Sequence, residues 1–219
     1  MELSQVLSLK YLYSLKMIGI DYLDMSELET TLENHQNLPF DIDKLKDIVN
    51  SCTLCDLSTT RKNVVFGEEN LSAKVMFIGE GPGAMEDSSG KPFVGRAGQL
   101  LTKMIENVLD IKREDVYIAN IVKCRPPNNR VPTPMEATTC KSYLLRQIEI
   151  IKPKIIVALG ATSYHHLTED KARISTVRGR VFEFGDFYLI PTYHPSFLLR
   201  NPSAKKDAYQ DLLKIKSLL

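Results

Sequence analysis

The fold can be read outward from residues 74–83, Lys74-Val-Met-Phe-Ile-Gly-Glu-Gly-Pro-Gly83, where a short apolar run ends in a glycine-rich turn. A run of this length and composition is typical of a strand that is buried on both faces of a sheet. Three more apolar runs of similar length follow along the chain, at residues 115–120, 154–160 and 187–192. The sequence therefore predicts four buried strands.

Helical patterns separate these runs, at residues 97–109, 134–151 and 161–168, and a last helix is predicted over residues 203–218. Strands that alternate with helices are typical of an α/β fold, in which a mostly parallel sheet is covered by helices on both faces. Residues 182–184 are a candidate for an additional antiparallel strand at one edge of this sheet.

Polar and glycine residues follow the predicted strands at one edge of the sheet. The first strand ends in the turn 79–83, the second ends at Asn120, and the fourth leads into His194. Ligands of such sheets bind beyond the carboxyl ends of the strands. We therefore expect the turn, the Asn120 amide and the His194 imidazole to meet in one binding site.

The composition describes an ordinary globular chain of 219 residues, with 43% hydrophobic and 25% charged residues. No apolar run is long enough to span a membrane, and the N-terminus lacks the apolar core of a signal peptide, so we expect a cytoplasmic protein. Residues 1–50 carry 4 Lys and Arg against 9 Asp and Glu. The remainder is mildly basic, which permits a polyanionic partner without requiring one.

The N-terminal part of the chain is predicted to be a helical appendage. Residues 2–20 have helical spacing, residues 21–40 suggest a short acidic helix and a turn, and Asp41 is a plausible N-cap for a helix running toward Val49. We place the boundary so that residues 1–45 form the appendage and residues 46–219 form the catalytic domain.

The four cysteines suggest a metal centre. Cys52 and Cys55 stand two residues apart, whereas Cys124 and Cys140 are separated by fifteen residues. A close pair and two further thiolates can complete a tetrahedral set, and an all-thiolate set suits an iron–sulfur cluster at least as well as zinc. Four buried free cysteines are the remaining alternative at this point.

Four motifs carry a family resemblance. They are Gly79-Glu-Gly-Pro-Gly-Ala-Met-Glu-Asp87, Gly90-Lys-Pro-Phe-Val-Gly-Arg-Ala-Gly-Gln-Leu-Leu101, Ala119-Asn-Ile-Val-Lys-Cys-Arg-Pro-Pro127 and Tyr193-His-Pro-Ser196. Together with the cysteines they resemble the family 4 (type a) uracil-DNA glycosylases over residues 45–216. The resemblance implies a three-layer α/β/α sandwich with a central four-stranded sheet, a structural 4Fe-4S cluster, and excision of uracil from DNA.

The resemblance also implies roles for individual residues. It assigns the four cysteines to the cluster, Phe93 to stacking on the flipped base, Asn120 to reading the edge of uracil, and His194 to uracil O2. Glu86 matches a residue near uracil C5. Gly81 stands where family 1 enzymes carry a water-activating aspartate, and its lack of a side chain is usual in family 4.

The chemistry of these residue types agrees with such roles. An aromatic ring can stack on an extruded base, an amide can donate to uracil O4 and accept from N3–H, and an imidazole can stabilise the negative charge that develops on the departing uracil. Two candidates can orient the attacking water: Glu80, next to Gly81, or the backbone carbonyls of the glycine turn. Glu86 is a candidate for excluding the methyl group of thymine by its bulk. The catalytic candidates are therefore His194, Asn120 and Glu80.

The segment after the histidine, Ser196-Phe-Leu-Leu-Arg-Asn-Pro202, is a candidate for gripping DNA. Leu198 or Leu199 can wedge into the duplex where the base has left, and Arg200 can contact a phosphate. Further phosphate contacts are predicted for Lys123, Arg125 and Arg130.

Three other functions are alternatives to a monofunctional uracil-DNA glycosylase. They are a superfamily member that binds uracil-containing DNA tightly or prefers another deaminated base, a non-catalytic zinc-stabilised nucleic-acid-binding module, and a small-molecule α/β hydrolase, for which the chain lacks the Gly-x-Ser-x-Gly motif. For the glycosylase we expect a monomer whose partner is uracil-containing DNA and whose acidic appendage contacts a repair or replication partner.

Overall fold

The computed structural model of the chain describes residues 38–68 and 70–219. The helix predicted over residues 2–20, nearly all of the predicted segment 21–40 and most of the predicted appendage lie outside the described residues.

In the described part of the chain, five strands form one sheet in the order β2-β1-β3-β5-β4. The strands are β1 (Val75–Gly79), β2 (Tyr117–Asn120), β3 (Ile155–Leu159), β4 (Phe182–Phe184) and β5 (Phe187–Thr192). The four predicted strands pair in parallel, and β4 pairs with β5 in antiparallel orientation. The sheet therefore has one strand more than the family resemblance implied, because the chain turns back after β4 and extends the sheet at its edge.

The helices lie close to the predicted positions. They are α1 (Ile42–Asn50), α2 (Leu57–Thr60), α3 (Ala84–Ser89), α4 (Arg96–Met104), α5 (Pro134–Ile151), α6 (Gly160–Thr168), α7 (Ile174–Val177), α8 (Pro195–Arg200) and α9 (Lys205–Lys216). The helix predicted over residues 97–109 is α-helical only to Met104 and continues as a π-helical turn over Ile105–Leu109. None of the helices among the described residues is long and apolar enough to cross a membrane.

Alternating residues of the strands build two hydrophobic layers, one on each face of the sheet. Met76 and Ile78 of β1 pack in the layer that includes side chains of α1, α5, α6 and α7. Val75 and Phe77 of the same strand pack in the layer that includes side chains of α4, α8 and α9. This arrangement confirms the predicted three-layer α/β/α sandwich.

Helix α1 begins where the sequence predicted. The Asp41 carboxylate accepts hydrogen bonds from the backbone N–H groups of Asp43 and Lys44, as an N-cap does. Leu45 and Val49 are fully buried in the first hydrophobic layer. The predicted domain boundary at residue 45 therefore falls inside a helix that packs on the main body.

Candidate active site

A cavity of about 300 Å³ opens at the carboxyl ends of β1, β2 and β5. Eight of its lining residues were given roles from the sequence: Glu80, Gly81, Glu86, Phe93, Asn120, Arg130, His194 and Arg200. The aromatic ring, the amide and the imidazole therefore line one cavity, at the edge where the strand pattern placed them. Its volume lies at the lower end of the range for small-molecule pockets, which suits a ligand with a single ring.

Asn120, the last residue of β2, carries an unpaired polar atom into this cavity. The residue is 1% exposed, and its side-chain Oδ1 is buried without a hydrogen-bond partner among the described residues. A Cβ atom on Gly79, the neighbour of Asn120 in the sheet, would lie 2.4 Å from this oxygen and 2.6 Å from Cζ of Phe93. Glycine at position 79 therefore keeps open the space between amide and ring. A buried amide oxygen without a partner is costly, so a ligand that donates to it would gain a favourable site.

Phe93 is held in place by its surroundings rather than by a local conformational preference. Its φ of 51° is uncommon for a bulky residue. The Glu86 carboxylate accepts hydrogen bonds from the N–H groups of Val94 and Gly95, both at 2.9 Å. A Cβ atom on Gly98 of α4 would lie 1.8 Å from the Phe93 carbonyl oxygen, so helix and loop pack backbone to backbone. These contacts fix the ring, whose centroid lies 5.7 Å from that of His194.

His194 is the N-cap of α8 and is neutral. Its Nδ1 accepts a hydrogen bond from the Ser196 N–H at 3.1 Å and lies 2.7 Å from Ser196 Oγ. Because Nδ1 accepts a backbone N–H, the single ring proton lies on Nε2. Burial lowers the pKa of His194 to about 4; the positive charge of Arg200 acts in the same direction and the carboxylate of Glu86 opposes it. At neutral pH the ring therefore offers one donor, Nε2–H.

Glu80 lines the cavity with one carboxylate oxygen already engaged. Its Oε2 accepts a hydrogen bond of 2.5 Å from the Thr162 hydroxyl, which lies in the first turn of α6. A Cβ atom on the next residue, Gly81, would lie 2.8 Å from a methyl carbon of Val122, so a side chain at position 81 would require Val122 to move. Sequence reasoning missed Thr162, since no motif marks a lone threonine after a strand. The contact between Ser196 and His194 could have been expected, because a side chain at a helix N-cap often accepts a hydrogen bond from the N–H group two residues later.

Glu86 lines the cavity, but both of its oxygens are engaged by backbone groups. Oε2 accepts from the Gly83 N–H at 3.2 Å, and Oε1 accepts the two N–H groups beside Phe93. The carboxylate is therefore a fixed part of the wall and connects the glycine-rich turn to the loop that carries the aromatic ring.

Two of the residues predicted to contact DNA are buried instead. Leu198 is 1% exposed because it lies on the inward face of α8 and packs in the second hydrophobic layer, so its prediction as a wedge is wrong. Lys123 is fully buried, and its prediction as a phosphate contact is wrong for the same reason. Leu199 is 36% exposed and stays a candidate wedge.

The arginines of the Pro-rich loop are already paired. Arg125 does not line the cavity, and its Nε donates to the Asn129 side-chain oxygen at 2.8 Å. Arg130 does line the cavity, and it donates to both oxygens of Glu136 at 2.7 and 2.8 Å. This pair lowers the pKa of Glu136 to about 2 and ties the loop to α5.

The four cysteines line a second, smaller cavity. Donors surround its sulfur atoms: the Arg61 guanidinium lies 3.2 Å from Cys124 Sγ, and the Lys123 backbone N–H lies 3.3 Å from Cys140 Sγ. Burial raises the pKa of the Cys140 thiol to about 12, and it also raises the pKa values of Cys55 and Cys124. Within residues 38–68 and 70–219, no three His, Cys, Asp or Glu side chains are grouped so that they could share one metal ion.

A larger cleft, of about 990 Å³, lies elsewhere and includes none of the predicted catalytic residues. Its lining mixes lysine and glutamate side chains, and its Arg113 donates to Glu68, to the Thr102 hydroxyl and to the Pro92 carbonyl. The chemistry therefore favours the smaller cavity as the active site, because there a buried amide oxygen is unpaired.

Comparison with known families agrees with this geometry. The model of the uracil DNA glycosylase superfamily matches residues 66–214, a range that contains Phe93, Asn120 and His194. The chain belongs to the uracil DNA glycosylase superfamily.

Within this superfamily, the chain is similar to type-4 uracil-DNA glycosylases. The chain is 51% identical over 175 residues to a type-4 uracil-DNA glycosylase of Thermotoga maritima, covering 78% of this chain and 91% of that protein. A type-4 uracil-DNA glycosylase of Saccharolobus solfataricus is 46% identical over 186 residues, which cover 81% of this chain and 86% of that protein. The type-4 uracil-DNA glycosylase of Archaeoglobus fulgidus is 43% identical over 188 residues, which cover 81% of this chain and 94% of that protein.

Proposed function

We infer that the protein is a monofunctional uracil-DNA glycosylase, which flips uracil out of DNA and hydrolyses its N-glycosidic bond to leave an abasic site. The observation that carries this inference is the buried, unpaired Oδ1 of Asn120 in a cavity that Phe93 and His194 also line. The superfamily match and the type-4 relatives support it independently.

The amide explains why uracil fits and cytosine does not. Asn120 Oδ1 can accept from uracil N3–H while the amide nitrogen donates to O4. Cytosine has an acceptor at N3 and an amino donor at C4. It would therefore leave Asn120 Oδ1 unpaired and bring its amino group against the amide N–H donor of Asn120. Sites built on buried hydrogen bonds discriminate strongly for this reason.

His194 can stabilise the leaving base. When the bond between sugar C1′ and uracil N1 breaks, its electron pair moves into the uracil ring and negative charge develops on O2. The Nε2–H of the neutral imidazole can donate to this oxygen, as an oxyanion-hole group does. Water then adds to C1′ through its oxygen and releases one proton to solvent. Glu80 can orient this water, because Thr162 engages only one of its two carboxylate oxygens.

The remaining site residues exclude thymine and hold DNA. Glu86, fixed by three backbone N–H groups, is a rigid wall that can exclude a methyl group at C5. Leu199 is the exposed wedge candidate on α8, and Arg200 at the cavity mouth and Arg125 in the Pro-rich loop are candidates for phosphate contacts.

A direct test uses matched oligonucleotides that contain uracil, cytosine, thymine or hypoxanthine at one position. After incubation with the protein and treatment with alkali, only the uracil strand is expected to be cleaved efficiently. Cleavage without alkali would contradict the monofunctional assignment. Preferred cleavage of the hypoxanthine strand would mean that the substrate is hypoxanthine rather than uracil. An intact uracil strand would refute the function.

The low pKa of His194 predicts an uncommon pH profile. The excision rate is expected to change less than about twofold across pH 6.5, where an ordinary histidine titrates, and to fall only as pH approaches about 4. Protonation there would remove the Nδ1 acceptor of the Ser196 N–H. The folded pKa lies below the unfolded one, so the stability contributed by the neutral ring is fully present above about pH 6.5 and is lost as pH falls toward 4.

Single-turnover rates and thermal midpoints between about pH 4.5 and 8.5 would check this prediction. His194→Asn is the control, because it keeps a capping side chain without a titrating ring. A step in the wild-type rate near pH 6.5 that is absent from this variant would show that the ring titrates normally.

The cysteine cavity fits a 4Fe-4S cluster. Among the described residues its lining holds four sulfurs and no histidine or carboxylate, and the Arg61 guanidinium and the Lys123 backbone N–H donate to two of these sulfurs, beside a group that is negative when bound to thiolates. Each iron of a cubane takes one thiolate, so the four sulfurs need not converge on one point as ligands of a single zinc ion do. We propose that Cys52, Cys55, Cys124 and Cys140 hold this cluster, which would tie the segment before the sheet to the Pro-rich loop.

Cys140→Ser is expected to abolish the iron content and visible absorption of the purified protein and to lower its melting temperature by about 5–10 °C. Thr139→Ser is the matched control, since Thr139 lines the same cavity without offering a thiolate. Stoichiometric zinc in the wild type would favour the zinc alternative, and a wild type without any metal would leave four free cysteines.

Residues 1–45, which end inside α1, are proposed to form an appendage that contacts a repair or replication partner, and the enzyme is proposed to act as a monomer. A variant that begins at residue 38, and therefore keeps Asp41 and α1, is expected to excise uracil at the wild-type rate and to elute as a monomer. A large loss of rate would assign the first residues to catalysis instead.

A further inference from the structure

Lys123 is a fully buried lysine between the uracil-reading end of β2 and the cysteine cavity. Its ammonium donates to the backbone carbonyl of Asn120 at 3.1 Å and to Oε1 of Gln147 at 2.5 Å. Its backbone is also held, because its N–H donates to Cys140 Sγ and its carbonyl accepts from the Val65 N–H at 2.8 Å. Removing an ammonium from water is expensive, so a lysine in this position needs its fixed oxygen partners.

The group that holds this ammonium is itself fixed. Gln147 lies on α5 and is fully buried. Its side-chain nitrogen donates to the Phe66 carbonyl at 2.9 Å and to the Tyr117 hydroxyl at 2.8 Å. Tyr117 is the first residue of β2, and Asn120 is the last. The network therefore anchors both ends of the strand that carries the uracil-reading amide.

We propose that Lys123 is a positioning residue for base recognition: its ammonium, held by Gln147, fixes the peptide group of Asn120 so that the side-chain amide meets the uracil edge. This proposal rests on the function proposed above. The amide of Asn120 has no hydrogen bond through Oδ1 of its own, so its direction depends on the backbone that carries it. Without the ammonium, two buried oxygens lose a donor and the end of β2 is free to shift.

A double-mutant cycle tests this role. Lys123→Met keeps the length of the side chain without its donors, and it is expected to slow single-turnover uracil excision by about 10–100-fold. In an Asn120→Ala background the same change should alter the rate by no more than about twofold, because residues that act through one another are not additive. Lys141→Met is the matched control: Lys141 also neighbours a cysteine, but its ammonium pairs with Glu169.

The readouts separate positioning from other roles. The iron content and the visible absorption of Lys123→Met are expected to equal those of the wild type. The proposal is overturned if this variant keeps the wild-type rate, if it slows Asn120→Ala as much as it slows the wild type, or if activity and iron are lost together. Should Lys123→Met not fold, Lys123→Gln, which retains a donor on a shorter side chain, takes its place in the cycle. A wild type that leaves uracil in DNA would instead refute the proposed function.

Discussion

Asn120→Asp is expected to lower the single-turnover rate of uracil excision by about 10³–10⁴-fold. The substitution keeps the shape of the side chain but replaces the amide donor with a second acceptor. Uracil O4 would then face a carboxylate oxygen in a site where Asn120 is buried, with little water to screen the repulsion. Cytosine gains little, because its N3 lone pair would face the other carboxylate oxygen. Rates on uracil and cytosine strands, measured with enzyme in excess, check both statements.

Asn129→Asp is the matched control for this substitution. Asn129 lines the same cavity near its mouth, and its side-chain oxygen accepts from Arg125, a contact that aspartate preserves. Its rate under saturating enzyme is expected to stay within about threefold of the wild type. Equal losses in both variants would mean that added negative charge, rather than base reading by Asn120, slows the enzyme.

His194→Ala is expected to slow excision by about 10²–10³-fold, the usual cost of losing one donor to a developing anion. The binding of uracil-containing DNA should weaken much less, because the charge on O2 develops only as the glycosidic bond breaks. Single-turnover rates and equilibrium binding to the same oligonucleotide separate the two effects.

The alanine variant also removes the N-cap of α8, so a second variant is needed. His194→Asn keeps a side chain that caps helices well, while it removes the ring Nε2–H. It is expected to fold like the wild type and to remain slow. His166→Ala, on α6, should leave the rate unchanged. If His194→Asn were as fast as the wild type, the histidine would serve α8 rather than the leaving base.

The parts of the site that depend on strand position could be predicted from the sequence. Apolar runs marked the four parallel strands, and parallel strands bring their carboxyl ends to one edge of the sheet. Asn120 ends one of those runs and His194 follows another, so their meeting in one cavity follows from topology alone. The antiparallel edge strand β4 gave a weaker sequence signal, because a strand of three residues shows little periodicity.

The parts that depend on tertiary packing could not be predicted. Lys123 lies in a loop rich in basic residues. No local sequence pattern shows that its ammonium is buried and donates a hydrogen bond to Gln147, which lies 24 positions away. Leu198 and Leu199 are adjacent in sequence, and only the way in which α8 packs on the sheet decides which of them is buried. The positive φ of Phe93 lies where Glu86 binds the N–H groups of the next two residues and the Phe93 carbonyl packs against Gly98 of α4, contacts that no local pattern shows.

A structure of the protein with bound uracil would show whether the cavity at the end of β2 reads this base. We expect the pyrimidine ring to stack on Phe93, N3–H and O4 to bind the Asn120 amide, and O2 to lie within hydrogen-bond distance of His194 Nε2. Uracil bound elsewhere, with Asn120 Oδ1 still unpaired, would contradict this expectation.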